Sequence, residues 1–105
     1  PKEPKINMTL EGGLERPPWQ GGPDASRLFE EAGKIGSHLG LSLTQMHAGG
    51  SSDGNFTAAL GIPTLDGLGP IGSGAHSAGN EKILFNSIIE RTALLTGLVM
   101  HAASD

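Results

Sequence analysis

Between residues 49 and 77 glycine interrupts the chain so often that no regular element there can be long. Gly49-Gly50-Ser51-Ser52-Asp53-Gly54-Asn55-Phe56 is followed by Gly61-Ile62-Pro63-Thr64-Leu65-Asp66-Gly67-Leu68-Gly69-Pro70, and then by Gly72-Ser73-Gly74-Ala75-His76-Ser77. The order reads as a strand end, a glycine turn, a helix over 52–60, a second strand over 62–65, and a loop delivering one histidine. Strand, helix, strand is a βαβ unit with a right-handed crossover, so the fold class is α/β. Two loops above a sheet edge make a binding site.

The rest of the chain is read around that unit. Ile6, Met8 and Leu10 alternate with Asn7, Thr9 and Glu11, the period of a half-buried strand. No second strand of this kind lies nearby to pair with it, and an unpaired edge invites another chain. Arg16-Pro17-Pro18-Trp19 then holds the backbone extended, as a crossing between two lobes. Asp24 is placed to cap the next helix. Leu28, Ala32, Ile35 and Leu39 form one helical face, which Ala25, Phe29 and Gly36 widen. Gly33 and Gly36 make sense if that face packs closely on a sheet, and Gly40 stops the helix. Leu41 to Met46 is the first strand of the βαβ unit.

Ser87-Ile88-Ile89-Glu90 has the pattern of a capping box opening a helix that runs toward Ala103. That helix is apolar over most of its circumference (Ile88, Ile89, Ala93, Leu94, Leu95, Leu98, Val99, Met100), and it expects cover on several sides. With the lone strand, and with Pro1 rather than Met at the start, this gives the expectation of a piece of a longer chain that self-associates through its uncovered surfaces.

Composition narrows the function. The 105 residues carry a net charge of −4 with no basic cluster, which argues against nucleic acid. There is no cysteine, so disulfides and thiolate metal sites are excluded. No apolar run approaches the ~20 residues of a membrane span, and no signal segment opens the sequence. Cytoplasm is the expected compartment, with the periplasm left open. Aromatic residues are 4% and glycines number 17, so loops carry much of the chain and marginal stability is expected.

Few side chains are candidates for chemistry. A neutral imidazole on a glycine-rich loop, as at His76, suits a metal, and equally suits a solvent-facing or backbone-bonded histidine. One imidazole does not hold a metal, because a catalytic zinc takes about three protein ligands. His38 and His101 lie near helix ends, where the dipole favours a cation; His47 ends a strand beside the site. Ser51, Ser52 and Asp53 are ordinary helix-start residues, and free N–H groups there can also hold a carboxylate. Gly50-Ser51-Ser52-Asp53-Gly54 matches the nucleophile-elbow pattern, but no acid and base are placed to complete a triad on Ser52. Arg16 beside two prolines suits a bidentate grip on a carboxylate, or a surface ion pair with Glu15 or Asp24. Trp19 reads as packing between lobes or as a substrate wall.

Together, Arg16-Pro17-Pro18, the helix ending at Gly40, Gly49 to Phe56, Gly61 to Gly69, and Gly74-Ala75-His76-Ser77 with Glu81 after it resemble the C-terminal part of the dinuclear zinc amidohydrolases. These include glutamate carboxypeptidases, aminoacylases and succinyl-diaminopimelate desuccinylases. The resemblance covers nearly the whole chain. It implies a zinc-peptidase-like catalytic lobe, a βαβ unit plus flanking helices, interrupted by a lid lobe that commonly dimerises. Residues 1–15 would be the last lid strand and crossing, and 16–105 the C-terminal part of the catalytic lobe. By resemblance His76 is a metal ligand and Arg16 grips the substrate carboxylate. Gly50, Ser51, Ser52 and Asn55 line the substrate pocket. The family's other ligands, its glutamate general base and its lid histidine lie upstream of these segments. The resemblance therefore implies an inactive fragment of a homodimeric zinc hydrolase, acting on an N-acyl amino acid or short peptide with a free carboxylate. The alternative is a carboxylate-binding or interaction module that keeps the fold without catalysis.

Overall fold

A computed structural model describes residues 5–104. Three helices and one small hairpin follow one another in the order α1 (Pro23–His38), α2 (Gly54–Ala59), β1 (Gly72–Ser73), β2 (Lys82–Ile83) and α3 (Phe85–Ala103). The molecule is thus mixed helix and sheet.

Helix α1 begins two residues earlier than its sequence suggests. Gly22 is the N-cap, Pro23 supplies the fixed φ of a first helical residue, and Asp24 falls inside the first turn without a capping bond. Asp24 lies 3.4 Å from Arg27 one turn on. The stop at Gly40 is as expected. Gly40 has φ 74°, its N–H donates to Ser37 O at 3.1 Å, and Leu41 N–H donates to Gly36 O at 2.8 Å. That pair of bonds is a Schellman motif. Helix α2 ends the same way at Gly61, where Gly61 N–H reaches Ala58 O and Ile62 N–H reaches Thr57 O.

The apolar face of α1 meets helix α3 rather than a sheet. Ala32 and Leu94 are the buried apolar side chains among the described residues, and Ile35 presses on Gly97, where a Cβ would stand 2.8 Å from Ile35 Cγ2. Gly36 is close-packed for a different reason: the chain turns back after Gly40 and lays Leu43 over it, 3.2 Å from where a Cβ would be. Gly33 has open space in front of it, so close packing does not account for it.

The expected strands do not form. Residues 6–14, 41–46 and 62–65 have no β-ladder, and Ile6, Met8 and Leu10 are exposed. An extended segment becomes a strand only when a neighbour takes up its N–H and C=O groups. No described segment does so here, and of the expected βαβ unit the helix forms without a sheet on either side of it. The hairpin that does form, Gly72 opposite Ile83 and Ser73 opposite Lys82, lies partly within what reads as loop.

Ser87 is likewise not a cap. Leu84 is the N-cap of α3, and Ser87 sits fully buried in the first turn. Its hydroxyl donates to Leu84 O at 2.5 Å and accepts from Ile71 N–H at 2.9 Å. The hairpin is thereby tied to α3. One side of α3 stays open, with Ile89, Leu95, Val99 and Met100 exposed. The Cα radius of gyration is 19.1 Å, against about 13 Å for a compact chain of about 100 residues. No helix among the described residues is long and apolar enough to cross a membrane.

Between α1 and α3 runs a small charged cluster. Glu31 accepts from Lys34 Nζ at 2.7 Å and lies 3.5 Å from His101 Nε2. The Lys34 hydrogen bond holds the Glu31 carboxyl below its ordinary range, and Glu31 raises Lys34. The depressed carboxyl contributes stability above the ordinary glutamate pKa and loses it as pH falls through the lowered value. The raised ammonium contributes below the ordinary lysine pKa and loses it as pH rises through the raised value. The melting difference between wild type and Glu31→Gln should therefore be steady near neutrality and shrink at both extremes, as read by circular dichroism.

Candidate functional site

The site is assembled where the crossing segment docks on the turn before α2. Asn55 does most of the joining. Its Nδ2 donates to Pro17 O at 3.0 Å, while its Oδ1 accepts Ser52 N–H at 3.0 Å. Ser52 Oγ accepts Gly54 N–H at 3.1 Å, which turns the backbone into the helix. Gly54 stands in close quarters: a Cβ there would lie 3.2 Å from the Trp19 ring and 3.3 Å from Thr64, so both would have to give way by a few tenths of an ångström. Trp19 is thus packing, and it also walls a small cleft of about 170 Å³ with Pro23, Ala58, Ile62 and Thr64. Thr57 and Thr64 share a hydroxyl–hydroxyl bond of 2.8 Å, which fastens α2 to the segment after it.

Arg16 lies at this junction. Its Nη1 donates to Asp53 Oδ1 at 2.9 Å, and its guanidinium carbon stands 5.1 Å from the centroid of the Phe56 ring. The ion pair expected with Glu15 or Asp24 is made instead with Asp53, thirty-seven residues on. A partner that distant in sequence has no local signature; only the docking of Pro17 by Asn55 brings it near. The structure therefore brings Arg16, Ser52 and Asn55 together, and adds Asp53 and Phe56. Gly50 and Ser51 sit exposed at the outer edge of the same turn. No imidazole or carboxylate bonds the Ser52 hydroxyl among the described residues, and its bond to Gly54 gives it a structural role.

His76 is presented separately, at the tip of the hairpin. It is exposed, makes no side-chain hydrogen bond among the described residues, and has φ 64°, the left-handed region. Among the described residues it is alone in this among non-glycines. Histidine enters that region more readily than most side chains, at some cost in strain. The tip holds it there: Ser77 N–H reaches Gly74 O, and Asn80 and Glu81 N–H both reach Ser77 O. Gly74 (φ 70°) is the hinge of this arrangement, because a Cβ there would stand 2.4 Å from Asn80 O. Gly74→Ala should cost more than about 1 kcal/mol of stability, measured by denaturant unfolding, and should move the His76 ring signals in the NMR spectrum.

Two of the other three histidines have ordinary explanations, and His47 is exposed without a side-chain hydrogen bond among the described residues. His38 Nδ1 lies 2.7 Å from Lys34 O, and His101 faces Glu31. No three His, Asp or Glu side chains converge among the described residues. With about three protein donors needed for a catalytic zinc, these residues by themselves do not fit a metal centre. His76 fits the part of a single donor.

Comparison with curated proteins and with solved structures finds no match. A family model does match, that of the peptidase family M20/M25/M40, and it spans residues 7–101. The match takes in the Arg16 junction, the 49–56 turn and the His76 hairpin together, and by it the chain belongs to the peptidase family M20/M25/M40.

Proposed function

We infer that this chain is the C-terminal part of the catalytic lobe of a metal-dependent hydrolase that cleaves an amide or peptide bond next to a carboxylate, of the carboxypeptidase or N-acyl amino acid hydrolase type. Residues 1–15 belong to the lid lobe and crossing, and 16–105 to the catalytic lobe; residues 1–4 and 105 lie outside the described part. The single observation that carries the reading is the family match across the chain, with His76 held on an exposed tip as its chemical focus.

The group expected is a pair of zinc ions, which when bound would activate water and polarise the scissile carbonyl. His76 supplies one imidazole toward it, and the remaining donors and the general base lie outside the described residues. Arg16 orients the substrate carboxylate, and Gly50, Ser51, Ser52 and Asn55 shape the pocket beside it. The complete protein acts as a homodimer on a small N-acyl amino acid or short peptide, in the cytoplasm or periplasm. The chain of 105 residues alone is inactive, binds zinc weakly, and associates through its uncovered apolar surfaces.

A second reading, a carboxylate-binding module without catalysis, is supported by one contrast: Arg16, Ser52 and Asn55 lie at one junction, whereas no three metal-ligating side chains converge among the described residues. Zinc removal separates the two. Chelation should abolish hydrolysis of N-acyl amino acids by the complete protein and re-addition restore it, whereas a binding module would keep its affinity throughout. Zinc-dependent hydrolysis by the present chain alone would refute its incompleteness.

A further inference from the structure

The two groups that hold Arg16 do so in unlike ways. Phe56 supports the guanidinium through its ring face, a contact that leaves the N–H edge available. Asp53 takes up that edge with one oxygen on one nitrogen, not with the two-oxygen fork that a carboxylate can offer a guanidinium. Asp53 is also 94% exposed, and Arg16 36%. An exposed, single-oxygen pair contributes little to stability and is readily exchanged. The docking of the crossing segment does not depend on it, since Asn55 holds Pro17 and the Trp19 ring rests on Gly54 without it. Arg16 makes no other hydrogen bond among the described residues, so its remaining donors are open to an incoming group.

We propose that Asp53 is a displaceable internal carboxylate: it covers the Arg16 edge at which the substrate carboxylate binds, and so admits carboxylates while keeping neutral amides out. The inference rests on the reading of Arg16 as the carboxylate-binding residue. A ligand carboxylate that presents both oxygens exchanges one weak bond for two, whereas a neutral amide oxygen offers one acceptor without charge and does not displace Asp53. The selection is therefore for planar carboxylates over their amides. The cost is affinity, because any anion approaches a guanidinium already partly neutralised by its neighbour.

The test is a titration of the chain with N-acetylglycine, followed on the Asn55 side-chain amide signal, with N-acetylglycinamide as the neutral comparison. Asp53→Asn should bind N-acetylglycine about fivefold tighter than wild type, the effect of removing one unit charge a few ångströms away in high dielectric. The gain should shrink as salt is raised. Asp53→Ser should change affinity in the same direction and should let the amide, which wild type excludes, bind weakly, while Arg16→Lys should weaken binding in either background. Unchanged or weaker binding by both Asp53 variants overturns the proposal, and weaker binding by Arg16→Lys in the same series leaves the Arg16 reading standing. Arg16→Lys binding as wild type does would instead overturn the Arg16 reading, and the proposal with it.

Discussion

His76→Ala is expected to lower hydrolysis by the complete protein more than about 100-fold and to remove close to half of its bound zinc. The magnitude follows from position. Mutating an outer-shell partner of a metal ligand already costs 10–100-fold, and removing a donor itself takes away a bond rather than its orientation. His76 makes no side-chain hydrogen bond among the described residues and stands on an exposed tip, so truncating it disturbs no packing. At its left-handed φ of 64° alanine is strained as histidine is, so the unfolding midpoint is measured on the same variant. Metal analysis and kcat/KM on the same preparation check this. Loss of activity with full zinc content would remove His76 from the donor set, and unchanged activity would sink the two-metal reading of this chain.

The largest stability effect is expected at Leu94. It is 0% exposed, one turn before Gly97, which packs against Ile35 of α1. Leu94→Ala should cost about 2–5 kcal/mol, the loss of transfer energy plus a cavity that the helices cannot fully close. Few other side chains are buried with it, so a loss of that size should abolish a cooperative thermal transition rather than merely lower its midpoint. Met100→Ala on the same helix, at 68% exposure, should stay within about 0.5 kcal/mol. Circular dichroism melting of the two variants checks the contrast. Equal effects would mean that the α1–α3 contact is not what holds the helices together.

Helices were legible in the sequence because their signals are local. The stop at Gly40 and the stop at Gly61 are decided by a residue that accepts positive φ, and each lies where the pattern places it. The inward face of α1, with Ala32 at its centre, follows from periodicity alone. What covers that face does not. Leu28 and Ile35 suit a sheet or a helix equally well, and Gly97 opposite Ile35 is what settles the matter. Ser87 shows the same limit: its pattern fits a capping box, yet its hydroxyl is committed to Ile71, sixteen residues away.

The site divides along the same line. By itself the sequence determined which chemical groups are on offer: an imidazole among glycines, an arginine fixed by prolines, and a turn rich in hydroxyls and free N–H groups. Tertiary structure decided that Arg16 meets Asp53 and Phe56, that Asn55 ties the crossing to the turn, and that Ile6, Leu41–Met46 and Ile62–Leu65 join no β-ladder among the described residues. The reason is physical. Caps, turns and helical faces are fixed by neighbours within a few residues, whereas a ladder, an ion pair across thirty-seven residues or a helix contact exists only once distant backbone has been brought alongside.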